Sequence, residues 1–258
     1  MLRYRYLFEQ MFRRELRAKY KGSALGVVWY LVNPLILMAV YTVMFRYLLK
    51  AVAIPDYPLF LIVGLVVWTF FSQSLLAAST SLVEQASLVG TVRFPREAIP
   101  AAVVSVQLVP FLVLLAVATP IALIVRDSFG AGLLLLAPIV VCLFALALGL
   151  ALVVSVGHAY FRDVQPVLAA ALLPWFFVTP IFFRLEDLPG LDGQPVIEAL
   201  LRWGNPIAPF IEAVRDILYS GAVPQAATLL YIVGVTAVAV VGGLAVFRRG
   251  ERELAVVL

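Results

Sequence analysis

Six stretches of this 258-residue chain are each as long and as apolar as a membrane-crossing helix. A bilayer core of about 30 Å takes roughly 20 apolar residues in helical form, and backbone polar groups inside it must be satisfied within the protein. The stretches fall at 25–46, 58–79, 99–125, 131–156, 165–183 and 225–247. Turn-forming residues separate them: Pro55 and Pro58, Pro95 and Pro100, Asp127 to Gly130, Arg162 to Pro166, and Gly221 to Pro224. This pattern predicts an all-α integral membrane protein with six transmembrane helices in one domain, 25–258. The first stretch outruns the apolar core of a signal peptide and is followed by Arg46 and Lys50, so it reads as a span.

Charge then orients the spans. Nineteen lysines and arginines are present, and seven of them lie within residues 1–24. Adding the loops 80–98 and 157–164 and the tail 248–258 brings one face to thirteen, against six on the other. The face richer in Lys and Arg stays in the cytoplasm. An even number of spans therefore places both termini there. With 64% of residues apolar and only 13% charged, against about 25% in soluble domains, the chain is no soluble nucleic-acid binder despite a net charge of +4. A single cysteine, Cys142, permits no internal disulfide, and a single histidine, His158, removes most metal and triad chemistry. No metal site is expected.

Three segments outside the spans carry patterns of their own. In residues 1–22, Tyr4, Phe8, Met11, Phe12, Leu16 and Tyr20 recur at helical spacing, with Arg3, Arg14, Arg17 and Lys21 on the other side. The pattern predicts an amphipathic helix in the headgroup layer. Residues 81–100 hold a short helical stretch broken before Pro95, either a docking knob at the tip of a cytoplasmic loop or a solvated connector. Residues 184–221 hold two short amphipathic pieces, Pro195–Trp203 and Pro209–Tyr219, split by Gly204-Asn205-Pro206. Neither is long enough to span. They predict a re-entrant pair dipping into the outer leaflet, with a surface cap as the alternative.

Missing chemistry narrows the function. No lysine, glutamate or aspartate falls mid-span, where an ion-driven transporter holds its coupling ion. No Gly-Lys dipeptide exists, so the chain cannot build the phosphate cradle of an ATPase. His-Glu-x-x-His and Gly-x-Ser-x-Gly are also absent, which argues against an intramembrane enzyme. His158, beside Tyr160 and Arg162, reads as a packing residue. The spans do offer aromatic faces: Tyr41 with Phe45, and Trp68 with Phe71, share helix sides. Aromatic faces joined to neutral polar groups suit a sugar chain, which presents apolar ring faces and hydroxyls. For each of these residues the alternative is ordinary packing against lipid or another helix.

A series of runs now resembles a known family. In order they are the head from Phe12 to Trp29, with Arg13-Arg14-Glu15-Leu16-Arg17 and Gly22-Ser23-Ala24-Leu25-Gly26, then Asn33-Pro34 and Gly64-Leu65-Val66-Val67-Trp68. Val92-Arg93-Phe94-Pro95-Arg96-Glu97, Tyr160-Phe161-Arg162-Asp163-Val164 and Asn205-Pro206-Ile207-Ala208-Pro209 follow. Together they resemble the membrane subunits of ABC type-2 exporters that move O-antigen, capsular polysaccharide or teichoic acid. The resemblance implies a homodimer working with two copies of a separate subunit that binds ATP and Mg. It implies a gate helix at 1–24 with Arg14, Arg17 and Lys21, a coupling helix at 82–92 with Leu82, Glu84 and Leu88, and outer re-entrant helices at 195–219. It also implies a channel between protomers, lined by spans one, two and five, with Tyr41, Phe45, Trp68, Phe71, Trp175 and Phe176 as candidates.

The residues themselves fit that scheme. A chain with no power source needs a partner, and a cytoplasmic knob gives the partner a handle. Arg93, Arg96, Glu97, Arg162 and Asp163 are then expected at or near the partner interface, although Asp163 is equally placed to cap the helix that follows it. The expected cargo is a lipid-linked polysaccharide of O-antigen or capsule type, exported across the bacterial inner membrane. No fixed cation in the channel spans marks a phosphate-rich polymer. The competing readings are a drug, lipid or teichoic acid permease of the same superfamily, a stand-alone membrane enzyme, and a passive channel.

Overall fold

The second apolar stretch organises the rest. In the computed structural model, which describes residues 5–20, 28–49, 53–91, 94–126, 130–187 and 194–251, it forms a helix from Tyr57 to Glu84, here α3. A helix apolar on every side has no face to leave in water and is surrounded by neighbours. Accordingly 78% of the most apolar window of α3 is buried in protein, against 17% for the last helix.

Two short helices precede α3: α1 (Arg5–Tyr20) and α2 (Val28–Thr42), the latter continuing as a π-helical segment over Val43–Leu48. Then come α4 (Ala86–Thr91), α5 (Ala98–Arg126), α6 (Leu133–Tyr160) and α7 (Val164–Val178). The chain closes with α8 (Pro195–Trp203), α9 (Ala208–Leu218) and α10 (Ala226–Gly250). No strand occurs among the described residues. Four helices, α3, α5, α6 and α10, are long and apolar enough to cross a membrane, and α2 and α7 are shorter apolar helices.

The differences from the expected spans have local causes. Span five was expected to run to residue 183, yet α7 stops at Val178. Pro180 disfavours helical geometry in the residue before it, and Thr179 is accordingly extended at φ −75°, ψ 137°. The coupling helix expected over 82–92 begins later. α3 continues through Leu82 and Glu84, the chain breaks at Gln85 (φ −111°, ψ 24°), and α4 starts at Ala86. Asp163 does occupy the N-cap position of α7, but its side chain makes no capping hydrogen bond.

α6 and α10 lie backbone to backbone. A Cβ on Gly149 would come within 2.4 Å of the Ala239 carbonyl oxygen, and one on Gly243 within 2.1 Å of the Gly149 oxygen. Small residues at such a crossing let helices approach closely where water supplies no driving force. One apolar core joins α3 to α5, α6, α7 and α9. A second, smaller core lies at the end of the bundle where α1 docks: Met11, Leu82, Phe94, Ile99, Leu152 and Phe247.

α1 therefore spends its apolar side on protein as well as on any lipid. Met11 is 3% exposed, Glu15 Oε1 accepts from Gln85 Nε2 at 3.0 Å, and Lys19 donates to Gln107 of α5. Of the two short amphipathic pieces, α9 is built into the main core through Phe210, Ile211, Val214, Ile217 and Leu218. α8 rests on α9 and keeps Val196 and Leu200 exposed.

Candidate functional site

The aromatic residues singled out on three separate spans meet in one cluster. Tyr41 lies 6.3 Å from Phe45 and 5.9 Å from Phe176, centroid to centroid. Trp68 lies 5.9 Å from Phe71, 6.1 Å from Trp175 and 5.6 Å from Phe176, and Phe71 is 5.4 Å from Trp175. Edge-to-face and tilted pairs at these separations are favourable ring arrangements. Their exposures differ. Tyr41, Phe45 and Trp175 are half-buried, Trp68 and Phe176 nearly buried, and Phe71 has no exposed surface at all. A ligand on this wall would touch the first three, with Phe71 packed behind Trp175.

The hub of the cluster is a residue that spacing on a span does not reveal. Phe182, beyond the end of α7, lies 4.7 Å from Tyr41, 5.2 Å from Phe45 and 4.9 Å from Phe176. It gets there because the chain leaves the helix at Thr179 and turns back along the wall. Three contacts fix this turn. Asn205 Nδ2 donates to Thr179 Oγ1 at 2.9 Å while its Oδ1 accepts from Trp175 Nε1 at 3.0 Å. Tyr57 Oη donates to the Phe182 carbonyl at 2.9 Å. Asn205 belongs to the Asn-Pro run noted in the sequence, so its presence was visible and its role was not.

Arg215 of α9 holds the same turn from the other side. Its guanidinium donates to the carbonyl oxygens of Pro180, Ile181 (2.6 Å) and Phe60 (3.3 Å), and it sits 3.6 Å from the Phe60 ring centroid. Arg215 is 7% exposed, and burial pulls it down to about 9, so it remains charged at neutral pH. The space it fills is left open by Gly64, where a Cβ would come within 2.6 Å of Arg215 Nη2. Nearby, Glu212 Oε2 accepts from Arg202 Nε at 3.2 Å; burial raises the Glu212 carboxyl while Arg202 opposes the rise.

At the opposite end of the bundle the expected docking residues divide. Glu84, Arg162 and Asp163 are exposed, and Leu88 on α4, Arg96 and Glu97 are half-buried. Leu82 is fully buried in the smaller core, so it supports α4 rather than offering a contact surface. Arg96 Nη1 donates to the Glu251 carbonyl at 2.7 Å and Tyr160 Oη to that of Gly250 at 2.9 Å, tying down the end of α10. Arg14 and Arg17 on α1 are exposed; Lys21 and Arg93 lie outside the described residues. His158 is buried, and no group among the described residues bonds its Nδ1. No group of metal-ligating side chains occurs among the described residues.

A bundle of long apolar helices with a cluster of aromatic rings on three of its elements has the make-up of a multi-pass membrane protein. Residues 6–219 match the family described as ABC-2 type transporter, and the chain belongs to that family. Its members are the membrane components of ABC transporters, which work with a separate nucleotide-binding subunit. The chain is 29% identical over 259 residues to the O-antigen export system permease protein RfbA of Myxococcus xanthus, covering 99% of this chain and 96% of that one. It is 26% identical over 263 residues to RfbA of Klebsiella pneumoniae, with 98% and 96% coverage. It is also 27% identical over 252 residues to the polysialic acid transport protein KpsM of Escherichia coli, with 95% and 94% coverage.

Proposed function

We propose that this chain is the permease subunit of an ATP-driven exporter that carries a lipid-linked polysaccharide of O-antigen or capsule type across the bacterial inner membrane. The observation that carries the reading is the nearly end-to-end similarity to O-antigen and polysialic acid permeases. In this reading α2, α3, α5, α6, α7 and α10 make six crossings, with both termini in the cytoplasm. Two copies pair and work with two ATP-hydrolysing subunits, which hold the ATP and Mg.

Geometry supports the pairing. α2 and its π-helical continuation expose Leu35, Ile36, Val40 and Met44, and α7 exposes Leu173, Phe177 and Val178, on the elements that carry the aromatic wall. A second copy facing these helices would enclose a path lined by Tyr41, Phe45 and Trp175. Such rings offer apolar faces to sugar rings without holding them by charge, so a chain can slide.

Coupling follows the covalent path. α4 joins α3 through the single residue Gln85, and Gln85 also bonds Glu15 of α1. A partner docking on Leu88 of α4 and on Glu84, Arg96, Glu97, Arg162 and Asp163 at the same end of the bundle would displace α3, which carries Trp68 and Phe71, and would drag α1 with its Arg14 and Arg17. ATP binding in the partner then shifts the balance between closed and open paths.

The test is to delete the gene, measure surface polysaccharide, and purify the tagged chain in mild detergent. Loss of surface glycan with build-up of lipid-linked polymer inside, and co-purification of a Walker-motif subunit, are expected. Unchanged surface glycan, or a functional chain with no such subunit, would overturn the reading.

A further inference from the structure

Behind the turn at 180–187 lies a polar cavity of about 210 Å³, at the outer end of the bundle and off the aromatic wall. It is bounded by the turn, by α9 and by the start of α10. The nearly buried rings of Phe60 and Tyr219, already covered by Arg215 and Arg126, form part of its lining, and Phe183 adds a half-buried ring. Of the charged groups around it, some are already committed within the chain: Arg215 to three carbonyls, and Arg202 to Glu212. Three are not. Arg184 stacks on Phe60 and Tyr219 at 5.7 and 5.5 Å, and among the described residues neither Glu186 nor Asp216 has a hydrogen-bond partner for its carboxylate. Ser220 stands at the exposed rim.

We infer that this cavity is an exit subsite for one uncharged sugar residue of the exported polymer. The inference rests on the polysaccharide reading above and adds a place and a specificity to it. The half-buried Phe183 meets the apolar side of a sugar, the Asp216 and Glu186 carboxylates accept from its hydroxyls, and the Arg184 guanidinium donates to them. The three arginines and three carboxylates balance, so the cavity has no net charge to draw a phosphate-rich or acidic polymer. Its position relative to the wall follows from consecutive residues of one turn: Phe182 lies in the aromatic cluster, while Phe183 and Arg184 line the cavity. A chain leaving the wall reaches the cavity by crossing that turn.

The experiment uses the permease purified with its ATP-hydrolysing subunit, and saturation-transfer NMR with galactose, mannose and N-acetylglucosamine as neutral probes and galacturonate as the acidic one. At least one neutral probe is expected to receive saturation, galacturonate several-fold less. Asp216→Asn should weaken the neutral signal about fivefold or more, and Ser220→Trp, which fills the rim, should remove it. Asp216→Asn preserves shape and serves if the tryptophan variant fails to fold. No transfer to any neutral sugar, transfer unchanged in both variants, or preference for galacturonate would overturn the inference. Polymer export by the unmodified chain is measured alongside. Export without a sugar signal would sink the subsite and leave the export function standing, whereas no polysaccharide export would sink both.

Discussion

The two ends of the bundle are held together by different means. At the end where the turn after α7 lies, the chain is irregular, and charged side chains bind its backbone. Arg215 satisfies carbonyls at the turn after α7, and Arg126 pairs with Asp56 at 2.9 Å and covers the Tyr219 ring at 4.4 Å. Asp56 itself takes a left-handed conformation, φ 45°, immediately before α3. Irregular backbone at membrane depth persists only where protein supplies its hydrogen bonds. At the other end, α1 is attached by a small apolar core and a few polar contacts, and its ion pairs Arg13–Glu9 and Arg14–Glu15 are exposed. Surface pairs of that kind contribute about 0–1 kcal/mol. One end is therefore built as a fixed frame and the other as a part that can shift.

If that contrast is right, Arg215→Ala should have the largest effect, on the order of 3 kcal/mol, because three carbonyls lose a charged donor in a buried site. It would be read as a large fall in Tm of the purified complex. Arg215→Lys should recover only a fraction, since an ammonium cannot reproduce the fork of the guanidinium. Asn205→Ala comes next, about 2 kcal/mol, through the unpaired Trp175 Nε1 and Ile207 backbone N–H; Thr179 Oγ1 keeps its bond to the Trp175 carbonyl. It should also lower polymer export by loosening the aromatic wall, and normal export at reduced Tm would separate wall from frame.

Changes at the other end should act locally. Met11→Ala removes a buried contact worth about 2 kcal/mol to the docking of α1. Trypsin cleavage after Arg13, Arg14 or Arg17 should accelerate while the global Tm moves little; a Tm fall as large as that of Arg215→Ala would end the distinction between the ends.

The smallest effect is one of pH. Burial lowers Lys19 from 10.5 to about 8. A base with a depressed folded value binds fewer protons folded than unfolded between those two limits, so docking of α1 should strengthen as pH rises from about 8 toward 10.5. Lys19→Met should flatten that dependence in a pH series of thermal melts, and a slope unchanged by the substitution would remove Lys19 as its source.

Much of this was legible in residue order, in uneven measure. Length and apolarity were enough for α3, α5, α6 and α10, because a span's requirement is local: each must satisfy its own backbone in lipid. The shortened α7 was foreseeable from Pro180, whose effect on Thr179 is a nearest-neighbour clash. Missed were the places where distant segments complete one another. Phe182 reads as one more aromatic at a span end, yet the turn makes it the centre of the wall. Arg215 is one residue of the amphipathic stretch Pro209–Tyr219, whose pattern does not single it out, yet Gly64, far earlier in the chain, leaves the room that buries it. Leu82 reads as part of the docking helix, yet α3 runs on past it and the core encloses it.

The sequence by itself determined the class of the molecule: helical, membrane-embedded, with its aromatics on particular apolar stretches. These follow from composition and from contacts within a few residues, which the chain carries wherever it goes. Only the tertiary structure decided which aromatics keep exposed surface, which arginine is committed to carbonyls, and which charged groups gather around the cavity behind the turn after α7. Those outcomes depend on how separate helices approach one another, and that is set by shape and packing among residues that pattern along the chain cannot relate.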